Sequence, residues 1–158
     1  MSGNAPEIQV PLLPHARIAI ISARWHHDLC DQLVAGALRA VHKAGVKQID
    51  QLTVSGSFEL PIAAAYALDG GADAAIVLGV IIRGETPHFD YVCQGVTHGI
   101  MQTSLDLKKP IGFGVLTVES MDQALSRVGG PGSKEDKGFD AAIAALDLLR
   151  VKDNFLKK

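Results

Sequence analysis

Gly79-Val80-Ile81-Ile82-Arg83-Gly84-Glu85-Thr86-Pro87-His88-Phe89-Asp90-Tyr91-Val92 is the stretch on which the fold turns. It closes an apolar run that starts at Ala74. A run with no polar alternation reads as a strand buried on both faces, the environment of an interior parallel strand. The run stops at Arg83-Gly84-Glu85, where a helix is expected to begin. Thr86 has the side-chain oxygen of an N-cap, and Pro87 suits the first helical position, where its missing N–H is no loss. A strand that hands directly to a helix N-terminus gathers free N–H groups and the positive end of the helix dipole at one spot. Gly84 lets an anion come close to the backbone there, and Arg83 is expected to add a full charge. His88 feels the same field, which favours a neutral imidazole able to act as a base near pH 7. The alternative is an ordinary surface turn with an incidental histidine, and the rest of the chain has to decide between them.

Outward from this stretch the pattern repeats. Ile18-Ala19-Ile20-Ile21 is a first apolar strand within Arg17 to Ala23, followed at once by Arg24-Trp25-His26-His27. Leu29, Leu33, Ala37, Leu38 and Val41 then recur at helical spacing up to Gly45, a C-terminal stop. Val46 to Val54 reads as a second strand ending in Ser55-Gly56-Ser57-Phe58-Glu59-Leu60-Pro61, where Ser57 is a candidate N-cap and an Ala-rich helix runs to Asp69-Gly70-Gly71. After the third strand comes a helix from Pro87 to about Leu107. Its Gly95 and Gly99 leave either a flat strip for another backbone or a merely permissive surface. Ile111 to Val118 is a fourth strand with Gly112 and Gly114 inside it, which weaken it unless something needs the room. A short helix over Met121 to Val128, a loop at Gly129-Gly130-Pro131-Gly132 and a last helix complete the chain. Met1 to Pro14, with Pro6, Pro11 and Pro14, is an N-terminal arm, and its Ile8-Gln9-Val10 could add to a neighbour's sheet edge. Residues 15–158 are expected to form one domain.

Strands alternating with helices four times over imply an α/β fold: a four-stranded parallel sheet with helices on both faces, hence three α/β/α layers. Right-handed crossovers put like strand ends on one rim, and ligands bind outside the carboxyl ends. Arg24-Trp25, Ser57-Phe58-Glu59 and Arg83 to His88 should therefore converge on one pocket. Trp25 and Phe58 sit at strand ends where a flat ring could stack on them, although Trp25 could instead plug the first helix. Glu59 offers a carboxylate to hydroxyls. Arg127 and Lys137 flank the glycine-rich loop and either complete an anion site or are simply solvated. The pocket suits a flat polar heterocycle bearing hydroxyls, next to a phosphate and a histidine base.

Composition narrows the classes. Of 158 residues, 47% are hydrophobic and only 20% charged, a surface short of charge that hints at cover by neighbouring subunits. A net charge of −2 without a basic stripe argues against nucleic acid and anionic membrane as partners. Cys30 and Cys93 lack disulfide or metal-ligand spacing and read as buried free thiols, which fits a reducing cytoplasm. No apolar run approaches the roughly 20 residues that span a bilayer.

Ser55 to Pro61, Gly79 to Val92, Gly114-Val115-Leu116-Thr117 and Glu135-Asp136-Lys137-Gly138 closely resemble the 6,7-dimethyl-8-ribityllumazine synthase family, in the same order and over Arg17 to Phe155. The resemblance implies a flavodoxin-like fold and a transferase of riboflavin biosynthesis. The implied reaction condenses 5-amino-6-(D-ribitylamino)uracil with 3,4-dihydroxy-2-butanone 4-phosphate, releasing phosphate and water, with neither metal nor cofactor. By resemblance, Trp25 stacks on the pyrimidine, Ser57, Phe58 and Glu59 hold that substrate, and Val80, Ile81 and Ile82 meet it through backbone. Gly84, Glu85 and Thr86 receive the butanone phosphate, and His88 transfers protons. Phe113, Arg127 and Lys137 come from the next subunit, so the active sites lie between adjacent subunits of a homo-oligomer. The Gly129 to Ser133 loop resembles the kinked form of members that stop at pentamers, with a decamer or a sixty-subunit shell as alternatives. Ser57 stands where the family often has Ala, and its hydroxyl either bonds substrate or caps the helix. A non-catalytic lumazine or flavin carrier on the same fold is the rival reading; it would need neither His88 nor the phosphate cradle.

Overall fold

The computed structural model describes residues 9–156. Four parallel strands, β1 (Arg17–Ala23), β2 (Gln48–Val54), β3 (Ala74–Ile82) and β4 (Ile111–Val118), form one sheet in the order β2-β1-β3-β4. Ile18 pairs with Ala74 and with Ile49, and Gly79 pairs with Val115. The unbroken apolar run of β3 has the expected cause. Ala74, Ile76, Leu78 and Val80 enter one core cluster, whereas Ala75 and Val77 enter the other. Helices α1 (His27–Lys43) and α5 (Lys137–Leu156) cover the first face; α2 (Leu60–Asp69) and α3 (His88–Leu107) cover the second. The three-layer α/β/α arrangement expected from the alternation is the one observed.

The room left by the glycines of β4 is taken up by α5. A Cβ at Gly112 would collide with the carbonyl of Ala141, and one at Gly114 would stand 3.1 Å from the Ala141 side chain. The strand gives up β propensity so that α5 can lie close against it. On the same face Asp136 stands immediately before α5, its Oδ1 accepting the N–H of Phe139 while its other oxygen pairs with Arg39 of α1.

Several boundaries differ from the sequence reading. Strand β2 starts at Gln48; Val46 is buried but lies outside the ladder. As an edge strand β2 is mostly exposed, which leaves its pattern diffuse. Helix α4 spans only Met121–Leu125, because Val128 instead bridges to Asp136. In the expected arm, residues 1–8 lie outside the described residues, and with them Ile8 of the proposed edge-strand segment. From Gln9 to Leu13 there is no regular structure, yet Leu13 donates its N–H to the Ala44 carbonyl at 2.8 Å and, with Val10, packs on the α1/α5 core. Cys30 is buried and Cys93 half-buried, both as free thiols.

Candidate active site

After β1 the chain steps outward to β2, then returns to the other side of β1 as β3. The crevice where the order reverses lies outside the carboxyl ends of β1 and β3. A cavity of about 730 Å³ opens there. Trp25 reaches it from the end of β1, and Ser57, Phe58 and Glu59 from a 3₁₀ turn after β2. Val80, Ile81 and Ile82 line it from β3, and Gly84, Thr86 and His88 from the connection into α3. Trp25 is 71% and Phe58 60% exposed, so neither ring serves the core. The plug reading of Trp25 fails for that reason.

The first wall is built by backbone contacts. His26 caps α1 in the left-handed region, φ 55° and ψ 48°, a conformation that His tolerates better than most non-glycine residues. Its carbonyl accepts the N–H groups of Leu29 and Cys30 at 2.9 and 3.0 Å. That turn lays the Trp25 indole along Gly56, where a Cβ would stand 3.3 Å from the ring. The Gly56 N–H donates to Glu59 Oε2 at 2.8 Å, which leaves Oε1 with no partner among the described residues. Ser57 does not cap; Gly56 holds the capping position in extended backbone, and the buried Ser57 hydroxyl lies against Gly79.

The second wall is the start of α3. The helix begins at His88, one residue later than expected, with Pro87 in the capping position and no side-chain cap from Thr86. Pro87 adopts helical φ and ψ itself, and its carbonyl accepts from Asp90 at 3.0 Å. The N–H groups of Gly84, Glu85, Thr86, His88 and Phe89 have no acceptor among the described residues. They form an open cradle of donors suited to an anion. Arg83 does not contribute its charge to that cradle. Its Nε donates to Glu119 Oε2 at 2.7 Å and its two terminal nitrogens to Asp90 at 3.0 and 3.3 Å. These bonds, Asp90 first, hold the guanidinium above its usual pKa.

Glu85, Phe113, Arg127 and Lys137 stand outside this cavity. Phe113 lines a separate apolar groove of about 620 Å³ with Ile100, Met101, Leu105 and Leu148. Arg127 donates to the Gln123 carbonyl at 2.8 Å and to Ser126 Oγ at 2.9 Å. Lys137 binds Glu135 at 2.6 Å and Asp140 at 3.1 Å. The Lys137 hydrogen bond is the main reason the Glu135 carboxyl sits below its usual range, and the same contact raises Lys137.

His26, Gly56, Phe89, Tyr91 and Val92 also line the cavity and were not singled out from sequence. Phe89, Tyr91 and Val92 belong to the deciding stretch, and helical spacing from His88 could have found Tyr91 and Val92, three and four residues on, but not Phe89; nothing in the pattern around His26 announces its left-handed turn. No group of three or more His, Cys, Asp or Glu able to hold a metal occurs among the described residues, and no helix there is long and apolar enough to cross a membrane.

Residues 15–153 match the family model described as 6,7-dimethyl-8-ribityllumazine synthase. Curated proteins bearing that name are similar over nearly the whole chain. The one from Streptomyces coelicolor is 52% identical over 147 residues, covering 92% of this chain and 91% of that protein. Those from Kineococcus radiotolerans and Frankia casuarinae are 51% and 50% identical, covering 94% and 96% of this chain and 92% and 95% of their own lengths.

Proposed function

The chain belongs to the 6,7-dimethyl-8-ribityllumazine synthase family, and we propose that it condenses 5-amino-6-(D-ribitylamino)uracil with 3,4-dihydroxy-2-butanone 4-phosphate, in the penultimate step of riboflavin biosynthesis. The observation that carries this reading is the single cavity at the strand reversal. It joins exposed aromatic rings, a carboxylate with a free oxygen and an open N–H cradle beside a histidine. Those are the surfaces that a hydroxylated pyrimidine and a phosphate ester require.

In this reading the pyrimidine stacks on Trp25 and lies along Ser57, Phe58 and the backbone of Val80 to Ile82, with Glu59 Oε1 accepting from ribityl hydroxyls. The phosphate ester rests on the donors of Gly84 to Thr86. The amine attacks the ketone to give an imine and water. Loss of phosphate leaves an enol that tautomerises to a ketone; the ribitylamino nitrogen attacks that carbonyl, and a second water leaves as the new ring closes. His88 carries protons between these steps, a contribution of about 10² to 10⁴-fold, and much of the remaining acceleration comes from holding two substrates in register.

With Arg83 engaged elsewhere, the cradle lacks a cation of its own. Arg127 and Lys137 supply it when they arrive from the next subunit together with Phe113. The exposed apolar side chains of Met101, Leu105 and Leu148 beside Phe113 support an assembly that covers them. We favour a pentamer, each subunit one domain over 15–158, working in the cytoplasm, where the free thiols Cys30 and Cys93 stay reduced.

The test is to mix the purified full chain with both substrates, without metal or nucleotide, and follow lumazine absorbance and phosphate release together. Both signals should exceed the uncatalysed condensation. Tight binding of the lumazine with neither signal above background would overturn the enzyme reading in favour of a carrier.

A further inference from the structure

Arg83 leaves β3 immediately before the cradle, and its side chain turns away from the cavity. Two separate segments are tied to it, the start of α3 and the end of β4. Its terminal nitrogens meet both oxygens of Asp90 in the first turn of α3, and its Nε meets Glu119 just beyond β4. The guanidinium also lies 4.2 Å from the centroid of the Phe89 ring, and the Arg83 N–H donates to the Val118 carbonyl at 2.9 Å. Between these anchors the chain is otherwise untethered. A Cβ at Gly84 would meet nothing within 4 Å, and the Glu85 and Thr86 side chains make no hydrogen bond or ion pair among the described residues. Solvent-exposed ion pairs are individually weak, but a two-pronged carboxylate contact within a three-charge network over an aromatic face has the geometry that makes such pairs count.

We propose that Arg83 is a positioning residue: it fixes the Gly84–Thr86 cradle and the start of α3 relative to β4, so that the cradle meets the phosphate-bearing substrate already in place. This rests on the reading that the cradle receives that phosphate. An untethered loop has to be ordered at each binding event, and the cost falls on the ligand that touches it. A lysine at position 83 keeps the charge but cannot hold two carboxylates in a planar fork.

Steady-state kinetics of the full chain, varying each substrate in turn, test this with Arg83→Lys and Glu119→Gln. Both variants should raise the KM for the butanone phosphate, by about five- to tenfold, with kcat within about twofold and the uracil KM unchanged. Circular dichroism and oligomer size should match the unaltered protein. The carboxamide variant carries the argument, because Glu119 lies outside the cavity. If Arg83 bound phosphate directly, Glu119→Gln would free the guanidinium and lower that KM or leave it alone, and the proposal would fail. Equal shifts in both KM values, or no shift in either, overturn it as well. Absence of turnover in the unaltered protein would overturn the functional reading, and this proposal with it; turnover with an unmoved butanone-phosphate KM in both variants overturns the positioning role alone.

Discussion

The wall of the cavity around Trp25, Gly56 and Glu59 and the outer segment around Arg127 and Lys137 hold their side chains in different ways. In the wall, the aromatic and hydroxyl groups are placed by chain distant in sequence, with Glu59 alone tied locally to the Gly56 N–H: the Trp25 indole just after β1 lies on a glycine after β2, and the Ser57 hydroxyl lies on Gly79 of β3. In the outer segment, each cation is held by its own neighbours: Arg127 by Gln123, Ser126 and Glu135, and Lys137 by Glu135 and Asp140. Distant placement makes a rigid receptor. Local placement makes a presented group, fixed to its segment and directed at something the same chain does not supply.

Co-assembly gives the largest contrast. Glu59→Ala/His88→Ala should cripple the wall, and Arg127→Ala the outer segment. When the two proteins are unfolded and refolded together and assayed with butanone phosphate well below the parent KM, where a raised KM shows as lost rate, activity should return to about a quarter of the unaltered level, because a random ring pairs an intact wall with an intact neighbour at about one junction in four. Recovery no better than the sum of the separate proteins would place both halves in one subunit and end the comparison. Next in size, His88→Ala should lower kcat by about 10² to 10⁴-fold and still leave measurable turnover. Arg127→Ala should chiefly raise the butanone-phosphate KM, by about 10- to 100-fold; equal abolition by both would erase the division of labour.

Smaller effects separate the two regions by stability. Gly79→Ala would put a Cβ 2.5 Å from the Ser57 hydroxyl, and thermal or denaturant unfolding should register a loss of about 1–3 kcal/mol. Gly79→Ala combined with Ser57→Gly should recover most of it. Least of all, Lys137→Ala should cost no more than about 1 kcal/mol at pH 7, since Lys137 and Glu135 are both substantially exposed and screened. The Glu135 carboxyl is depressed in the fold. Its contribution is therefore present above the ordinary carboxylate pKa and disappears as the pH falls through the lower folded value, so variant and parent should converge in stability in acid.

These differences follow what a sequence can express. Strand β3 was legible because both its faces are buried, which forces an apolar residue at every position from Ala74 to Val80. The rim followed from alternation and handedness, and Trp25, Phe58 and His88 followed from the rim. The capping assignments at Ser57 and Thr86 failed, since a cap depends on loop dihedrals as well as on residue type: Gly56 is extended and Pro87 is helical. Arg83 was misread because its partners lie 7 and 36 residues away. Phe113, Arg127 and Lys137 owed their place among the candidates chiefly to the family resemblance; within one chain they share no cavity with the rest.

The strand order β2-β1-β3-β4 also sets a timetable. Ile18 of β1 cannot find its partner Ala74 until 56 further residues have been joined, and parallel pairing over such a span closes slowly. During synthesis the centre of the sheet must therefore wait, with one apolar edge of β1 uncovered, until Ile82 has left the ribosome. The cavity at the reversal comes into being with that closure, so a nascent chain too short to include β3 has no receptor to offer, and the unpaired edge of β1 is where such fragments would stick to one another.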